Sequence, residues 1–292
     1  MQTIGIIGQG FVGTAVKEGL KQYFKIKTFD LIQEKSSCKT LEEVVKLSDI
    51  IFVCIPTPMN KNGSCCTDIV QNVLEQTYTF GKGKVVVVKS TIPPGTTEMW
   101  NKKYNEMDIV FNPEFLTEAN AINDFKNQNR IIIGGPKKAA SKVRRIFVKA
   151  FPKAKIIKTD STYAEMVKYI TNSFLAMKVS FANEMYQICD KLKIDYDKVI
   201  EYAMHDERLG YSHWSVPGPD GELGFGGHCF PKDTQALMYE AFQMGLVPIM
   251  LAATITKNDE VRGERDWEKM DGRAIIKTNN FETVQNFASL ED

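Results

Sequence analysis

The residues best suited to chemistry lie in one short stretch, 224–233, which reads G-F-G-G-H-C-F-P-K-D. Cys229 comes just after a pair of glycines, whose lack of a side chain lets a ligand approach the backbone. Lys232 lies three residues further on, and a neighbouring cation favours the thiolate, the nucleophilic form of cysteine. The stretch therefore predicts a nucleophilic thiol. An inert thiol in a glycine-rich loop is the alternative, because cysteines outside disulfides usually pack as small apolar residues.

The amino terminus carries a second pattern with a chemical use. An apolar run at residues 3–7 is followed by G-Q-G-F-V-G at residues 8–13, and residues 14–23 read as a helix. A strand, a glycine turn and a helix in this order are the fingerprint of a dinucleotide-binding site, with the N-terminus of the helix facing the phosphates.

Each position of that fingerprint has its own role. Gly8 makes the turn, Gly10 lets the pyrophosphate approach, and Gly13 allows the helix to pack against the strand. Asp30, at the end of a second predicted strand, is placed to accept hydrogen bonds from the adenosine ribose. The same carboxylate would repel a 2′-phosphate, so the pattern predicts NAD rather than NADP as the cofactor.

The first half of the chain alternates predicted strands and helices. Residues 41–47 and 69–78 read as helices, and short apolar runs read as strands at 26–29, 50–55, 85–88, 109–111, 131–133 and 156–157. Continuous apolar runs bounded by turns are typical of strands that are buried on both faces of a parallel sheet. The sequence therefore predicts an α/β fold, with a Rossmann-like, doubly wound parallel sheet over residues 1–160.

The second half is predicted to be helical. One long amphipathic helix over 163–188 is indicated by apolar residues spaced three or four apart, namely Tyr163, Met166, Val167, Ile170, Phe174, Met177, Phe181, Met185 and Ile188. Glu165, Lys168 and Asn172 form a second line along the same helix, and most such polar lines are solvated. Helices over 195–204 and 233–258 complete an all-helical central domain at 161–258, followed by a polar tail at 259–292.

Three polar turns that contain proline directly follow predicted strands, at residues 56–58, 90–96 and 112–118. In open α/β sheets, ligands bind beyond the carboxyl ends of the strands. We therefore expect these turns to border a ligand, although ordinary turn chemistry would explain any one of them alone.

Composition limits the partners. The 292 residues carry a formal net charge of +1, with 43% hydrophobic and 25% charged residues; this is typical of a globular chain of about two domains, with no field that would gather nucleic acid or a membrane surface. Six cysteines without a C-x-x-C pair and three histidines predict no metal site. No charged leader and no apolar run of about 18 residues is present, which predicts a cytoplasmic protein with reduced thiols.

Residues 224–233 also resemble the active-site signature of the UDP-glucose/GDP-mannose dehydrogenase family, NAD-dependent enzymes that oxidise a sugar-nucleotide alcohol twice, to the acid. The three polar turns are similar to that family's segments in the same order. The resemblance extends over roughly the first 258 residues. It implies a nucleotide-sugar substrate, with UDP-glucose favoured, and a homodimer formed through the helix at 233–258.

The resemblance also assigns roles to individual residues. For catalysis it implies Cys229 as nucleophile, Lys168 as the cation that stabilises the oxyanion, Asn172 holding the sugar, Glu114 in acid/base chemistry, and Thr91 and Asp233 aligning water. For the substrate it implies Glu114, Phe115, Leu116, Glu118, Lys168, Asn172, Gly226 and Arg208, the last reaching across from the neighbouring subunit. For the cofactor it implies Gly8, Gly10, Phe11, Val12, Gly13, Asp30, Lys35, Thr57, Thr91, Glu118 and Lys232.

Two features depart from the family. Residues 211–223 form a longer loop than the usual substrate loop, and the stretch from Asp259 is too short and polar to build the third, nucleotide-covering domain. Three alternatives therefore remain at this stage. They are a single-step β-hydroxyacid dehydrogenase, a non-catalytic relative that binds NAD, and a dehydrogenase of another sugar nucleotide such as GDP-mannose.

Overall fold

The computed structural model describes residues 1–276, which divide into two compact units. The first unit contains residues 1–57 and 66–168. The second contains residues 58–65 and continues from 169 to the end of the described chain. The domain boundaries predicted at 160 and 258 stay predictions.

The first unit is a seven-stranded sheet with helices between the strands. Its strands are β1 (Thr3–Ile7), β2 (Lys25–Phe29), β3 (Ile50–Val53), β4 (Val85–Val88), β5 (Asp108–Phe111), β6 (Arg130–Gly134) and β7 (Lys155–Thr159). Its helices are α1 (Phe11–Leu20), α2 (Leu41–Leu47), α3 (Asp68–Phe80), α4 (Thr96–Lys103), α5 (Ala121–Lys126), α6 (Lys137–Ala150) and the first residues of α7 (Ser161–Leu192).

The strand order is β2-β1-β3-β4-β5-β6-β7. The order reverses at β1, which places a topological switch point at the carboxyl end of β1, where the glycine turn begins. The first five strands are parallel, whereas β6 meets β5 in antiparallel fashion at Phe111 and Gly134 and then pairs with β7 in parallel. The predicted Rossmann-like α/β fold is confirmed, with this reversal of the last two strands as a difference in detail.

The four consecutive valines of β4 show that both faces of the sheet are covered. Val85 and Val87 belong to one apolar cluster and Val86 and Val88 to another, and all four side chains are buried. Because successive side chains of a strand point to opposite faces, the two clusters are the two covered faces of the sheet. Such a strand needs apolar residues at every position.

The second unit is helical, as predicted. It contains the rest of α7, then α8 (Tyr196–Ala203), α9 (Cys229–Gln243) and α10 (Ile249–Val261). The prediction of one helix over 233–258 is wrong, because α9 ends before Gly245. Gly245 has a φ of 75°, and the Leu246 amide donates to the Ala241 carbonyl at 2.9 Å, a glycine C-cap of the kind that Pro248 then follows.

The residues after α10 belong to the second unit as far as residue 276. Arg262 and Trp267 are buried, and Met59 pairs with Ile275 in a short bridge. Residues 277–292 of the predicted tail lie outside the described residues. None of the helices within 1–276 is both long and apolar enough to cross a membrane.

On helix α7 a line of polar residues is buried and several apolar residues are exposed, which is the opposite of an ordinary amphipathic helix at a protein surface. Glu165, Lys168 and Asn172 are 0%, 3% and 6% exposed, whereas Phe174 and Phe181 are 55% and 50% exposed. The alternative that this polar line is merely solvated therefore does not hold. A buried line of charged and amide groups has a cost in desolvation, so these side chains need a specific reason to be there.

Candidate active site

The glycine turn after β1 has the geometry that its sequence predicts. Gly8 has a φ of 88°, and a Cβ on Gly13 would lie 1.8 Å from the Gly8 carbonyl oxygen. A Cβ on Gly10 would meet no atom within 4 Å. Gly13 is thus required for packing inside the chain, whereas the open space at Gly10 is a cradle that a ligand's pyrophosphate fits.

Asp30 lies beside this turn. One of its carboxylate oxygens accepts a hydrogen bond from the Gln9 amide at 2.6 Å, and the other accepts from the Ile32 amide at 2.9 Å. The carboxylate is therefore fixed next to the turn, where it suits the two hydroxyls of a ribose. Phe11 at the start of α1 is 44% exposed and Val12 is half-buried. Lys35, after β2, is exposed, so these predicted cofactor residues are accessible to a ligand.

The turns that follow β3 and β4 are joined by a buried hydrogen bond. The Thr57 hydroxyl donates to the Thr91 carbonyl at 2.7 Å, and both residues are at least nine-tenths buried. The Ser90 hydroxyl donates to the carbonyl of Ile55 in the same region. Two of the residues predicted to border the cofactor are thereby brought together at the carboxyl edge of the sheet.

Glu114, in the turn after β5, forms a buried ion pair with Lys168 of α7. The Lys168 ammonium donates to the Glu114 carboxylate at 2.9 Å and to its backbone carbonyl at 2.7 Å. Burial alone would raise the pKa of Glu114, but the charge of Lys168 and a hydrogen bond from the Leu116 amide lower it. The pair therefore presents an ionised carboxylate next to a cation.

The residues after Glu114 shape the same turn. The ring of Phe115 lies 4.2 Å from the Arg130 guanidinium and 5.6 Å from the Lys168 ammonium. Leu116 packs against one apolar cluster of the sheet, and Glu118 is exposed.

Three buried residues lie at the same edge; sequence reasoning missed Cys54 and Lys89, whereas Asn112 begins one of the predicted polar turns. Cys54, Lys89 and Asn112 each come directly after a strand, β3, β4 and β5 respectively. Lys89 is 3% exposed and donates to the Asn112 side-chain oxygen at 2.8 Å. Burial lowers the pKa of Lys89 to about 8 and raises that of Cys54 to about 12. The sequence did hold a signal for Lys89, since this lysine directly follows the four valines of β4 and directly precedes the polar turn at 90–96.

Glu165 has a positioning role that sequence reasoning also missed. Its carboxylate accepts hydrogen bonds from the Gly95 amide at 2.6 Å and the Thr97 amide at 2.9 Å, at the N-terminus of α4. Burial raises its pKa, against the effect of the bonds from Thr97 and Gly95. The side chain of one helix thus caps another and anchors the end of the turn that contains Thr91.

In the second unit, Cys229 is the first residue of α9 rather than part of a loop. A helix N-terminus carries a partial positive charge that favours an anionic sulfur. Burial would lower the pKa of Lys232, but the negative charges of Asp233, Cys65 and Cys229 raise it. The predicted cation is therefore near enough to the predicted nucleophile to interact with it.

Asp233 is 1% exposed and has two side-chain partners. The Lys232 ammonium donates to one carboxylate oxygen at 2.5 Å, and the Asn172 amide donates to the other at 2.6 Å. Lys232, Asp233 and Asn172 thus form one buried cluster. Tyr169 is buried beside it, and burial, then the charges of Cys65 and Asp233, raise the pKa of its hydroxyl.

The glycines before Cys229 are held by the segment that follows α10. A Cβ on Gly226 would lie 2.3 Å from the Arg262 guanidinium and 2.4 Å from the Asp266 carboxylate. The Gly227 amide donates to Asp266 at 2.9 Å. Arg262 also pairs with Asp220 at 2.7 Å, which ties the 211–223 loop to the same point.

Arg208 lies apart from these clusters. Its side chain is 88% exposed, and it pairs with Asp206 two residues earlier. Within residues 1–276, no group of three or more His, Cys, Asp or Glu side chains is arranged to hold a metal ion.

Comparison with known proteins gives two adjacent matches to one family. Residues 19–151 match the UDP-glucose/GDP-mannose dehydrogenase family, NAD binding domain, and residues 162–260 match the UDP-glucose/GDP-mannose dehydrogenase family, central domain. The first match establishes an NAD-binding domain.

Individual relatives agree. UDP-glucose 6-dehydrogenase TuaD of Bacillus subtilis (strain 168) is 31% identical over 300 residues, which cover 90% of this chain and 64% of that protein. UDP-glucose 6-dehydrogenase YwqF of the same strain is 34% identical over 248 residues, covering 82% of this chain and 50% of the relative. The chain thus spans between half and two thirds of the length of these curated relatives.

Solved structures are also similar. A UDP-glucose dehydrogenase from the hyperthermophilic archaeon Pyrobaculum islandicum superposes with a TM-score of 0.80 at 29% identity, covering 89% of this chain and 68% of that one. A 3-hydroxyisobutyrate dehydrogenase from Mycobacterium tuberculosis gives a TM-score of 0.73 at 16% identity and covers both chains completely. At that identity the second likeness shows the fold alone.

Proposed function

Because the chain belongs to the UDP-glucose/GDP-mannose dehydrogenase family, we propose that it is an NAD-dependent nucleotide-sugar dehydrogenase that oxidises a C6 alcohol to the carboxylate in two steps. UDP-glucose is the favoured substrate, since the relatives TuaD and YwqF are named UDP-glucose 6-dehydrogenases. The observation that carries the proposal is the position of Cys229 at the N-terminus of α9, near a buried lysine and carboxylate.

The cofactor site fits this chemistry. The open space at Gly10 takes the pyrophosphate, and the Asp30 carboxylate takes the ribose hydroxyls. When bound, NAD supplies a hydride acceptor, and the full reaction uses two molecules of it. Thr57 and Thr91, joined by their buried hydrogen bond, then form a fixed polar wall on the nicotinamide side.

Residues of the chain accept the proton and form the covalent bond to the reacting carbon. Glu114 is held ionised by Lys168, which suits it to take the hydroxyl proton in the first oxidation. The Cys229 thiolate adds to the aldehyde carbon, and the resulting thiohemiacetal holds a reactive intermediate in an oxidisable tetrahedral form. Loss of a second hydride gives a thioester. Water, aligned by Thr91 and Asp233, then releases the carboxylate and restores the thiol.

Charge stabilisation comes from Lys168. The oxygen on the reacting carbon becomes negative in both tetrahedral adducts, and a fixed ammonium is worth several kcal/mol to such a charge in a site shielded from water. Asn172, held by Asp233, positions the sugar. Phe115, Leu116, Glu118, Gly226 and Arg208 complete the proposed substrate contacts, and Lys35 and Lys232 the cofactor contacts.

We also propose a homodimer. Several large apolar side chains of the second unit are about half exposed or more, namely Ile170, Phe174 and Phe181 on α7 and Leu246, Val247, Ile249 and Met250 at and before the start of α10. Exposed apolar residues in such a group are typical of a protein interface. The proposed partner is a second copy of this chain. Arg208 is exposed, as it must be if it contacts the substrate of that second copy.

The test is the yield of NADH per sugar. The purified protein is expected to form two NADH and one uronate for each UDP-glucose consumed. Cys229→Ala is expected to form no acid while it still binds NAD, measured by calorimetry. Cys189→Ala, which removes a buried thiol from the same unit, is the control and is expected to retain both products.

Each outcome decides between functions. One NADH per substrate would indicate a single-step dehydrogenase, which has no use for a covalent thiol. Binding of NAD without turnover on any UDP or GDP sugar would indicate a non-catalytic relative. Undiminished acid formation by Cys229→Ala would overturn the mechanism.

A further inference from the structure

Lys89 is a buried charge that the reaction described above does not use. It follows β4 directly, is 3% exposed, and donates to the Asn112 side-chain oxygen at 2.8 Å and to the Asn112 carbonyl at 3.2 Å. Buried lysines are rare and usually face a carboxylate in contact. Both hydrogen-bond acceptors of Lys89 are neutral oxygens, and a neutral donor could serve them. The positive charge therefore needs a separate reason.

That charge shares a cavity with Glu114. A cavity of about 370 Å³ in the first unit is lined by Lys89 and Glu114, together with Phe115, Asp124, Phe125 and Arg130. Lys89 and Glu114 thus line the same space from the ends of neighbouring strands.

Lys89 also acts on the turn that carries Glu114. Its acceptor Asn112 donates through its amide to the Ile132 carbonyl at 2.7 Å. The chain of bonds from Lys89 through Asn112 to Ile132 therefore joins the ends of β4 and β5 to β6. Glu114 lies only two residues beyond Asn112, so its position depends on this chain.

The ion pair with Lys168 does not make a second cation superfluous. If Lys168 stabilises an oxyanion during the reaction, its charge is shared between the oxyanion and Glu114. The carboxylate would then gain a proton more easily at the stage when it must act as a base. The charge of Lys89, which also lowers the pKa of Glu114, opposes this.

We propose that Lys89 is a positioning residue, whose charge keeps the Glu114 carboxylate ionised and whose bonds to Asn112 fix the turn that carries it. The proposal rests on the proposed function only for the role of Glu114 as a base. The other charged or titratable groups that act on Glu114 or line its cavity are Lys168 from α7, Arg130 from β6, Asp124 from α5 and the Cys54 thiol after β3. None of these is changed in the test.

Two variants separate the charge of Lys89 from its hydrogen bonds. Lys89→Gln keeps a donor for Asn112 and removes the charge, and Lys89→Met removes both. The control is Lys84→Met at the opposite end of β4, where the lysine donates to the Ser48 carbonyl at 2.6 Å. The titration of the Glu114 carboxyl is followed by ¹³C NMR, with the resonance assigned by its loss in Glu114→Gln.

Lys89→Gln is expected to raise the pKa of Glu114, because the charge of Lys89 is one of the causes that lower it. The sign follows from the loss of a cation beside an acid. In the acid limb of the pH profile, kcat/KM is then about tenfold lower than in the wild type and recovers at higher pH. Lys84→Met is expected to change neither quantity.

The wild-type protein gives a second measurement that needs no variant. Burial lowers the pKa of Lys89 to about 8, so the Glu114 resonance should show a second, smaller step near that pH as the ammonium loses its proton. Absence of this step, or a Glu114 titration in Lys89→Gln equal to that of the wild type, overturns the proposal.

The NMR arm needs no substrate. A protein that shows the Glu114 shift but oxidises no nucleotide sugar would refute the proposed function and leave the proposal for Lys89 standing. A protein that oxidises the nucleotide sugar but shows no Glu114 shift would refute the proposal for Lys89 and leave the proposed function standing.

Discussion

Glu165 offers the most direct test of how the first unit is held together, through the substitution Glu165→Ala. Its carboxylate is the acceptor for two amides at the start of α4, Gly95 at 2.6 Å and Thr97 at 2.9 Å, and the side chain is fully buried. Removing it leaves both N–H groups without this partner. Thr97 is also fully buried, so water does not replace the lost acceptor there.

The expected loss follows from these contacts. A buried N–H left without a partner costs about 1–3 kcal/mol, and a hydrogen bond to a charged group contributes about 1.5–3 kcal/mol net. Gly95 is only half-buried and regains part of its bond from water. Removal of the buried carboxylate also relieves a desolvation cost, which is visible as the raised pKa of Glu165. We therefore expect Glu165→Ala to lower the free energy of unfolding by about 2–4 kcal/mol.

Asp195→Ala is the matched control. Asp195 caps α8 through the amides of Asp197 and Lys198 at 3.0 and 3.3 Å, which is again two N–H groups, but at an exposed site. Loss of such a cap costs about 1 kcal/mol. The two variants therefore differ mainly in whether water reaches the freed amides.

Urea unfolding combined with peptide-resolved hydrogen exchange is the assay, because it reports on each compact unit separately. Glu165→Ala should speed exchange in the peptides of α4 and of residues 90–96, whereas Asp195→Ala should affect α8 alone. An equal or smaller loss of stability in Glu165→Ala than in Asp195→Ala would refute the argument that the buried carboxylate anchors this turn.

Two further predictions concern the cofactor turn and the exposed face of α7. Gly13→Ala should disrupt the turn and abolish NAD binding, because its Cβ would lie 1.8 Å from the Gly8 carbonyl oxygen. Gly10→Ala should fold normally, because its Cβ meets no atom, and should lose NAD affinity by about tenfold or more. Equal thermal stability of the two variants would contradict this prediction. Phe174→Glu should convert a dimer into a monomer in analytical ultracentrifugation, because Phe174 is 55% exposed on the proposed interface. Tyr163→Glu, on the part of α7 that belongs to the first unit, is the control, and a wild-type monomer would overturn the dimer.

The parts of the site that sequence predicted are those with local causes. The glycine turn, its helix and Asp30 follow from residues that are near one another in the chain, and the structure brings them together as expected. Cys229 was singled out for its glycine neighbours and Lys232. Its place at the start of a helix was not expected, because a Gly-Gly-His stretch reads as loop.

The parts that sequence missed depend on tertiary burial. Nothing local distinguishes Lys89 or Glu165 from a solvated lysine or glutamate, since their roles come from Asn112 and Gly95, which are 23 and 70 residues away in the chain. The break between α9 and α10 was different, because Gly245 and Pro248 are both ordinary signals for the end of a helix. There the apolar residues on either side were given too much weight.

The anchoring of residues 90–95 has a consequence for how the protein moves. This segment starts beside Lys89, which is tied to Asn112, and it ends at Gly95, which Glu165 holds. Two consecutive prolines, Pro93 and Pro94, restrict its backbone further. A loop anchored at both ends has little freedom to move. We therefore expect residues 90–95 to keep their shape when a ligand binds, and any conformational change on binding to occur in other segments.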